Sequence, residues 1–197
     1  MKNRSQIKKQ LHSTKHQTDP IWPVNFPSSD SLEERQFNEY KTLAGIIRGL
    51  HTHHPHDKIL VLTRTNYAIE KLFDYPNLGF IDEVGDKVSL KGLGDFKFEV
   101  RTIHRAKGTT SDWTIVFGLN NSFPKNHEPE FWFKELFAPE PEPEKINFAE
   151  ERRVFYVALT RTKNRVFLLQ CENPKFRSRF LSEITGLSHV QQRQTLI

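Results

Sequence analysis

The 197-residue sequence contains one cysteine, Cys171, one methionine, and no apolar run near the about 20 residues a membrane-crossing helix requires. One thiol excludes an intrachain disulfide and any cysteine-based zinc cluster. The opening MKNRSQIKKQLHSTKHQ lacks the apolar core of a secretory signal, so a cytoplasmic location and no membrane partner are expected. Charge of one sign is also scarce: 29 Lys and Arg against 24 Asp and Glu leave +5. Lys2, Arg4, Lys8, Lys9 and Lys15, with no acid before Asp19, account for all of it. A basic arm suits a polyanion but equally suits a solvated tail, so function has to be read from motifs.

What is present fits one globular domain, 36% hydrophobic and 27% charged. Residues 1–28 are polar, basic and carry Pro20, Pro23 and Pro27, which reads as an extended lead-in. Ser31 followed by Glu34 forms a capping-box pattern, and Phe37, Tyr40, Ala44 and Ile47 recur at helical spacing, predicting a helix over 31–50. The run over 58–63 is a short apolar strand covered on both faces, and Asn66 is placed to cap a short helix reaching Leu72 and Phe73. Short strands broken by Gly79, Gly85, Gly92 and Gly94 are predicted between 75 and 101, and further strands over 113–117 and 165–169. Helices are predicted over 129–137, 149–162 and 174–184, with an extended acidic stretch over 138–144. The domain is taken as 29–186 and the tail as 187–197. Apolar strands alternating with helices imply an α/β fold with a mainly parallel sheet, and such sheets bind ligands beyond the carboxyl ends of their strands.

Three segments have the residue types for polyanion chemistry. Arg64 follows the strand Leu60–Thr63 directly, and a guanidinium there can bind phosphate oxygens bidentately or pair with a carboxylate. In Arg101-Thr102-Ile103-His104-Arg105-Ala106-Lys107-Gly108 a strand end gives way to a turn with a hydroxyl, an imidazole and cations, which suits a phosphate backbone or simply solvent. In Glu150-Glu151-Arg152-Arg153-Val154-Phe155-Tyr156-Val157-Ala158-Leu159-Thr160-Arg161-Thr162-Lys163 acids lie at the positive end of a helix dipole and bases at the negative end, which local stability alone would explain.

In that order, Leu-Thr-Arg-Thr-Asn, Thr-Ile-His-Arg-Ala-Lys-Gly and Glu-Glu-Arg-Arg-Val-Phe-Tyr-Val-Ala-Leu-Thr-Arg resemble motifs IV, V and VI of superfamily 1 DNA helicases of the UvrD/Rep/PcrA kind. Val116-Phe117-Gly118-Leu119 leading to Phe123-Pro124, the Glu-Pro-rich approach to the 149–162 helix, and Arg165–Leu169 before Glu172-Asn173-Pro174 are most similar to the helicase IV-like branch. The resemblance covers roughly 31–184. Asn3-Arg4-Ser5 is faintly similar to the Asn-Tyr-Arg-Ser element preceding this lobe, without its tyrosine.

The resemblance implies a RecA-like second motor lobe of an ATP-dependent DNA helicase acting in DNA repair and moving 3′ to 5′. By that likeness Arg64 and Arg161 are the catalytic arginine fingers, reaching together to the γ-phosphate of ATP. Gly108, Thr110, Glu151 and Tyr156 support the ATP site, with Glu151 and Tyr156 backing Arg161. Thr102, His104 and Lys107 contact single-stranded or partly duplex DNA. Where relatives continue motif V as Gly-Leu-Glu, with a ribose-binding glutamate, this chain has Gly108-Thr109-Thr110. The 37-residue spacing from Arg64 to Arg101 leaves no room for the large insertion subdomain of UvrD and Rep.

No Gly-x-x-x-x-Gly-Lys-[Ser/Thr] occurs, so ATP and Mg²⁺ would be bound mainly by an N-terminal RecA-like lobe outside this chain, and the chain alone is expected to be inactive. Phe80-Ile81-Asp82-Glu83 imitates a Walker B strand end but lies between motifs IV and V and reads as a strand and turn. His51, His53, His54 and His56 form an imidazole tract for which no specific metal site is expected. Trp22, Trp113 and Trp132 read mainly as core, with Phe131 and Trp132 beside the acidic segment as an exception. The competing classes are a subunit or fragment of a helicase-nuclease, and a non-catalytic nucleic-acid-binding module of the same fold.

Overall fold

The computed structural model describes residues 21–124 and 143–185. The expected helix over 129–137, most of the acidic stretch, Phe131, Trp132, the basic arm and the tail lie outside them. Among the described residues seven strands form one sheet in the order β1-β7-β6-β2-β5-β4-β3. β1 (Ile21–Phe26), β7 (Thr162–Cys171), β6 (Ser111–Val116), β2 (Ile59–Thr63) and β5 (Lys97–Thr102) are parallel, and β4 (Lys87–Leu90) and β3 (Phe80–Asp82) add an antiparallel edge. The mainly parallel α/β sheet read from the sequence is therefore present.

Both faces are covered, which is why the central strands are apolar without alternation. β2 is buried at all five positions. Ile59 and Val61 face α1 (Leu32–His53), packing with Tyr40, Leu43, Ile47 and Phe117. Leu60 and Leu62 face the other way, onto Val154, Phe155 and Ala158 of α3 (Pro143–Leu159) and Phe180 and Leu181 of α4 (Arg179–Thr185).

α1 begins where the capping pattern predicts, with the Ser31 side chain accepting from Glu34 N. The reciprocal half of the box differs, because Glu34 accepts from the Ser29 hydroxyl at 2.5 Å and Ser29 Oγ accepts from Ser31 N. Thr65, rather than Asn66, caps the short α2 (Asn66–Glu70), accepting from Ala68 N at 3.4 Å. The Phe80-Ile81-Asp82 segment is the strand of an edge hairpin.

Three boundaries differ from the sequence reading. Residues 21–26, taken as part of the lead-in, form β1, and Pro23 is tolerated because β1 is an edge strand. α3 starts at Pro143, where an extended stretch was expected, since proline suits a first helical turn. The last helix begins at Arg179, because Pro174–Phe176 forms a separate 3₁₀ turn.

Parallel strands give the sheet a carboxyl edge and an amino edge. Thr63, Thr102, Gly118 and Cys171 lie at or just beyond the first, and Ile59, Ser111 and Thr162 lie at the second. Residues 103–110 descend from the carboxyl end of β5 to the amino end of β6 without a full helix, and α3 carries the chain back from carboxyl to amino edge before β7. Every candidate residue lies on one of these edges or on the two links between them.

Candidate functional sites at the two sheet edges

At the carboxyl edge Arg64 is gripped by Glu151. Nε donates to Glu151 Oε2 at 2.9 Å and the NH2 group to Oε1 at 2.6 Å, a bidentate geometry that only guanidinium offers. The carboxylate is buried, with 3% of its side chain exposed, and its hydrogen bonds raise the Arg64 pKa further above its ordinary value. The NH1 group of Arg64 lies 3.5 Å from Nδ1 of the exposed His104, and Lys107 is exposed further along the same descending segment. Thr102 is only 8% exposed, so the first hydroxyl of the expected DNA-contacting turn is covered.

At the amino edge Arg161 makes three hydrogen bonds among the described residues, all to neutral oxygens. Nε donates to Val157 O at 3.0 Å, NH1 to Thr109 O at 3.4 Å, and NH2 to Thr160 Oγ1 at 3.0 Å. Thr160 in turn donates to the main-chain oxygen of Tyr156, whose ring is 59% exposed. Gly108, with φ of 83°, and the exposed Thr110 flank Thr109 in the same turn. Ser111 N donates to Arg161 O at 2.9 Å, and Asp112 accepts from Lys58 N at 2.9 Å and from Lys163 Nζ at 3.1 Å. Those donors hold the Asp112 carboxyl below its ordinary pKa, the Lys58 N–H contributing most.

Two expectations need correcting. Arg64 and Arg161 do not converge on one phosphate; they sit on opposite edges, separated by the length of α3 from Glu151 onward, about 12 Å at 1.5 Å per residue. A residue following a parallel strand emerges at the carboxyl edge, whereas a helix returning between parallel strands delivers its last residues to the amino edge. For the same reason Glu151 backs Arg64, not Arg161.

The histidine tract is used mostly for packing: the His51 ring lies 4.4 Å from Phe96 and the His54 ring 4.8 Å from Trp113. No three His, Cys, Asp or Glu side chains cluster as a metal site among the described residues. Trp22 packs edge-on against Phe167 beneath the Arg165 guanidinium, and Trp113 donates to Asp57 at 2.8 Å.

One notable residue escaped the sequence reading. Glu39, on the buried face of α1, is 7% exposed and accepts from Gly118 N at 2.7 Å through Oε1. Burial pushes its carboxyl up to about 7, against the smaller opposing pull of that N–H. Its sequence signal was position: it stands four residues before Leu43 and seven before Ile46, on the apolar stripe. Gly118 has φ of 74°, and a Cβ there would lie 3.0 Å from Thr63 Oγ1, so glycine is required for this close approach.

The folded pKa of Glu39 exceeds its unfolded value, so its protonation favours the folded state at low pH. That contribution is complete below about 4.5 and is lost as pH rises to about 7, amounting to about 3 kcal/mol. Glu39→Gln, which keeps an acceptor for Gly118, is expected to be more stable than the parent by about 2 kcal/mol at pH about 8 and to flatten the pH dependence, as read by urea unfolding.

With this geometry in place, the chain is compared with known proteins. Residues 86–173 match the model of the UvrD-like helicase C-terminal domain. The chain is 39% identical over 82 residues to DNA helicase IV of Escherichia coli strain K12, covering 40% of this chain and 12% of that protein. It is 28% identical over 180 residues to a probable DNA helicase of Mycoplasma pneumoniae, covering 87% of this chain and 28% of that protein. The chain thus spans at most about a quarter of the length of these curated relatives. The crystal structure of the C-terminal domain of a possible DNA helicase from Lactobacillus plantarum WCFS1 superposes with a TM-score of 0.51 at 13% identity, covering 85% of this chain and 82% of that one, and so shares the fold. No helix of the described residues is long and apolar enough to cross a membrane.

Proposed function

We propose that the chain is the C-terminal motor lobe of an ATP-dependent DNA helicase whose two edges do different work. The amino edge, with Arg161 and the Gly108–Thr110 turn, faces ATP and Mg²⁺ held by an N-terminal RecA-like lobe outside this chain. The carboxyl edge, with His104 braced by Arg64 and Glu151 and with Lys107 nearby, faces single-stranded DNA. The observation carrying this reading is that both clusters are joined twice, by α3 and the Thr160–Arg161 turn that follows it from Glu151, and by residues 103–110 from His104 to Thr109. A displacement of His104 by a DNA phosphate is thereby transmitted along packed backbone to the Arg161 guanidinium.

ATP closes the cleft between the lobes and brings Arg161 to the γ-phosphate, where a cation opposes the charge of the transferred group. Hydrolysis releases closure, and the 103–110 segment converts the cycle into 3′ to 5′ movement on the strand. Arg161 suits this because its hydrogen bonds among the described residues go to carbonyl and hydroxyl oxygens, leaving its charge to be neutralised by the nucleotide. Arg64 does not suit it, since Glu151 already neutralises it at the far edge.

The test is an amide NMR titration of the chain with a short single-stranded oligonucleotide at low salt. Shifts are expected at Thr63–Thr65 and Ile103–Lys107, weakening with added salt as phosphate contacts release counterions. Shifts confined to Ser111–Asp112 and Thr160–Lys163 would reverse the assignment of the edges.

A further inference from the structure

The hairpin of β3 and β4 lies in the sequence between Arg64 and the 103–110 segment, and it reaches that segment through one side chain. Its turn at Gly85, with φ of 79°, delivers Asp86 to β5, where the Asp86 carbonyl accepts from Val100 N at 2.8 Å. The Asp86 carboxylate, 21% exposed, meets two arginines. Oδ2 lies 3.2 Å from Arg101 Nε, and Oδ1 lies 2.9 Å from the NH2 group of Arg105.

Those arginines belong to opposite ends of the link between the two edges. Arg105 follows His104 directly in the 3₁₀ turn Ile103–Ala106. Arg101 reaches the other end: its NH1 group donates to Thr109 Oγ1 at 3.2 Å, and the Thr109 carbonyl accepts from the NH1 group of Arg161 at 3.4 Å. The NH2 group of Arg101 pairs with Glu99 at 3.1 Å.

We propose that Asp86 and Arg101 are positioning residues for the ATPase reaction: Asp86 holds Arg101, Arg101 holds Thr109, and Thr109 sets where the Arg161 guanidinium stands. The inference rests on the reading of the amino edge as the nucleotide side.

The geometry decides which contacts matter. An isolated exposed ion pair does little, and Arg105, 61% exposed, makes a contact of that kind. Arg101 is three-quarters covered and spans Asp86, Glu99 and Thr109 with one planar fork, which an ammonium cannot do. Groups joined in one such network respond together. Without the Asp86 charge, Glu99 is the one carboxylate partner left to Arg101 among the described residues, and its guanidinium is free to turn away from Thr109. A displacement of about 1 Å remote from the chemistry costs up to about a hundredfold in rate, so a relay through one hydroxyl is expected to carry about tenfold.

The test measures DNA-stimulated ATP turnover of the complete protein with Asp86→Asn, with Thr109→Val and with both. Each single variant is expected to lower kcat about tenfold while the KM for ATP stays within about twofold. The double variant should be no worse than either, because both cut the same relay. Asp86→Glu, which restores the charge, should recover most of the loss. In the chain alone, Asp86→Asn should shift the Thr110 amide resonance, next to the Thr109 carbonyl, with the urea midpoint near that of the parent. Additive losses in the double variant, or amide shifts confined to the hairpin, overturn the relay. So does a normal kcat in Asp86→Asn when Arg161→Ala is impaired. A normal kcat in Arg161→Ala as well overturns the reading of the amino edge itself.

Discussion

Arg161→Ala in the complete protein is expected to lower DNA-stimulated ATP turnover by about a thousandfold, the lower end of what an arginine finger contributes to phosphoryl transfer. The loss should fall mainly on kcat, because the guanidinium acts on charge that develops as the phosphoryl group leaves. Folding should be spared, since its three hydrogen bonds go to neutral oxygens of the helix end and the adjacent turn, and Ser111 N still holds the residue's carbonyl. DNA affinity without nucleotide should stay near the parent value, because the DNA edge lies at the other end of the sheet. Turnover within about tenfold of the parent, with the variant folded, would remove Arg161 from the γ-phosphate.

Arg64→Ala should act on stability and on DNA rather than on the chemical step. It removes two charge-assisted hydrogen bonds from a carboxylate with 3% side-chain exposure, and breaking such a buried pair costs about 3 kcal/mol. Arg64→Lys should recover little of this, because an ammonium cannot reproduce the fork that meets both carboxylate oxygens. In a double-mutant cycle with Glu151→Gln, measured by urea unfolding, the two losses should be strongly non-additive. Single-stranded DNA affinity should also fall in Arg64→Ala, because His104 loses its neighbour at 3.5 Å. Independent losses in the cycle would mean that the pair adds nothing to the carboxyl edge.

Much of this architecture is legible in the residues. β2 announces itself by an unbroken apolar run, since a strand covered on both faces needs no alternation, and α1 by Ser31 and the stripe of Tyr40, Leu43, Ala44 and Ile47. β1 was hidden because Pro23 and a polar flank mask an edge strand, whose pairing to β7 is a long-range event. The two arginines were assigned to one site because motif order carries no information about sheet edges. The edge follows from topology, in which α3 runs opposite to the strands it joins. Glu39 looked like an ordinary helix acid, and only tertiary packing against Gly118 makes it a buried acceptor.

The division of labour between the edges is tested most directly by photolabelling the complete protein with a γ-phosphate azidoanilide of ATP, with single-stranded DNA bound, and mapping the peptides of this lobe that carry the label. Label is predicted on the peptides containing Thr109–Asp112 and Thr160–Lys163. Label on the peptide containing Thr63–Asn66, with none at Arg161, would contradict it.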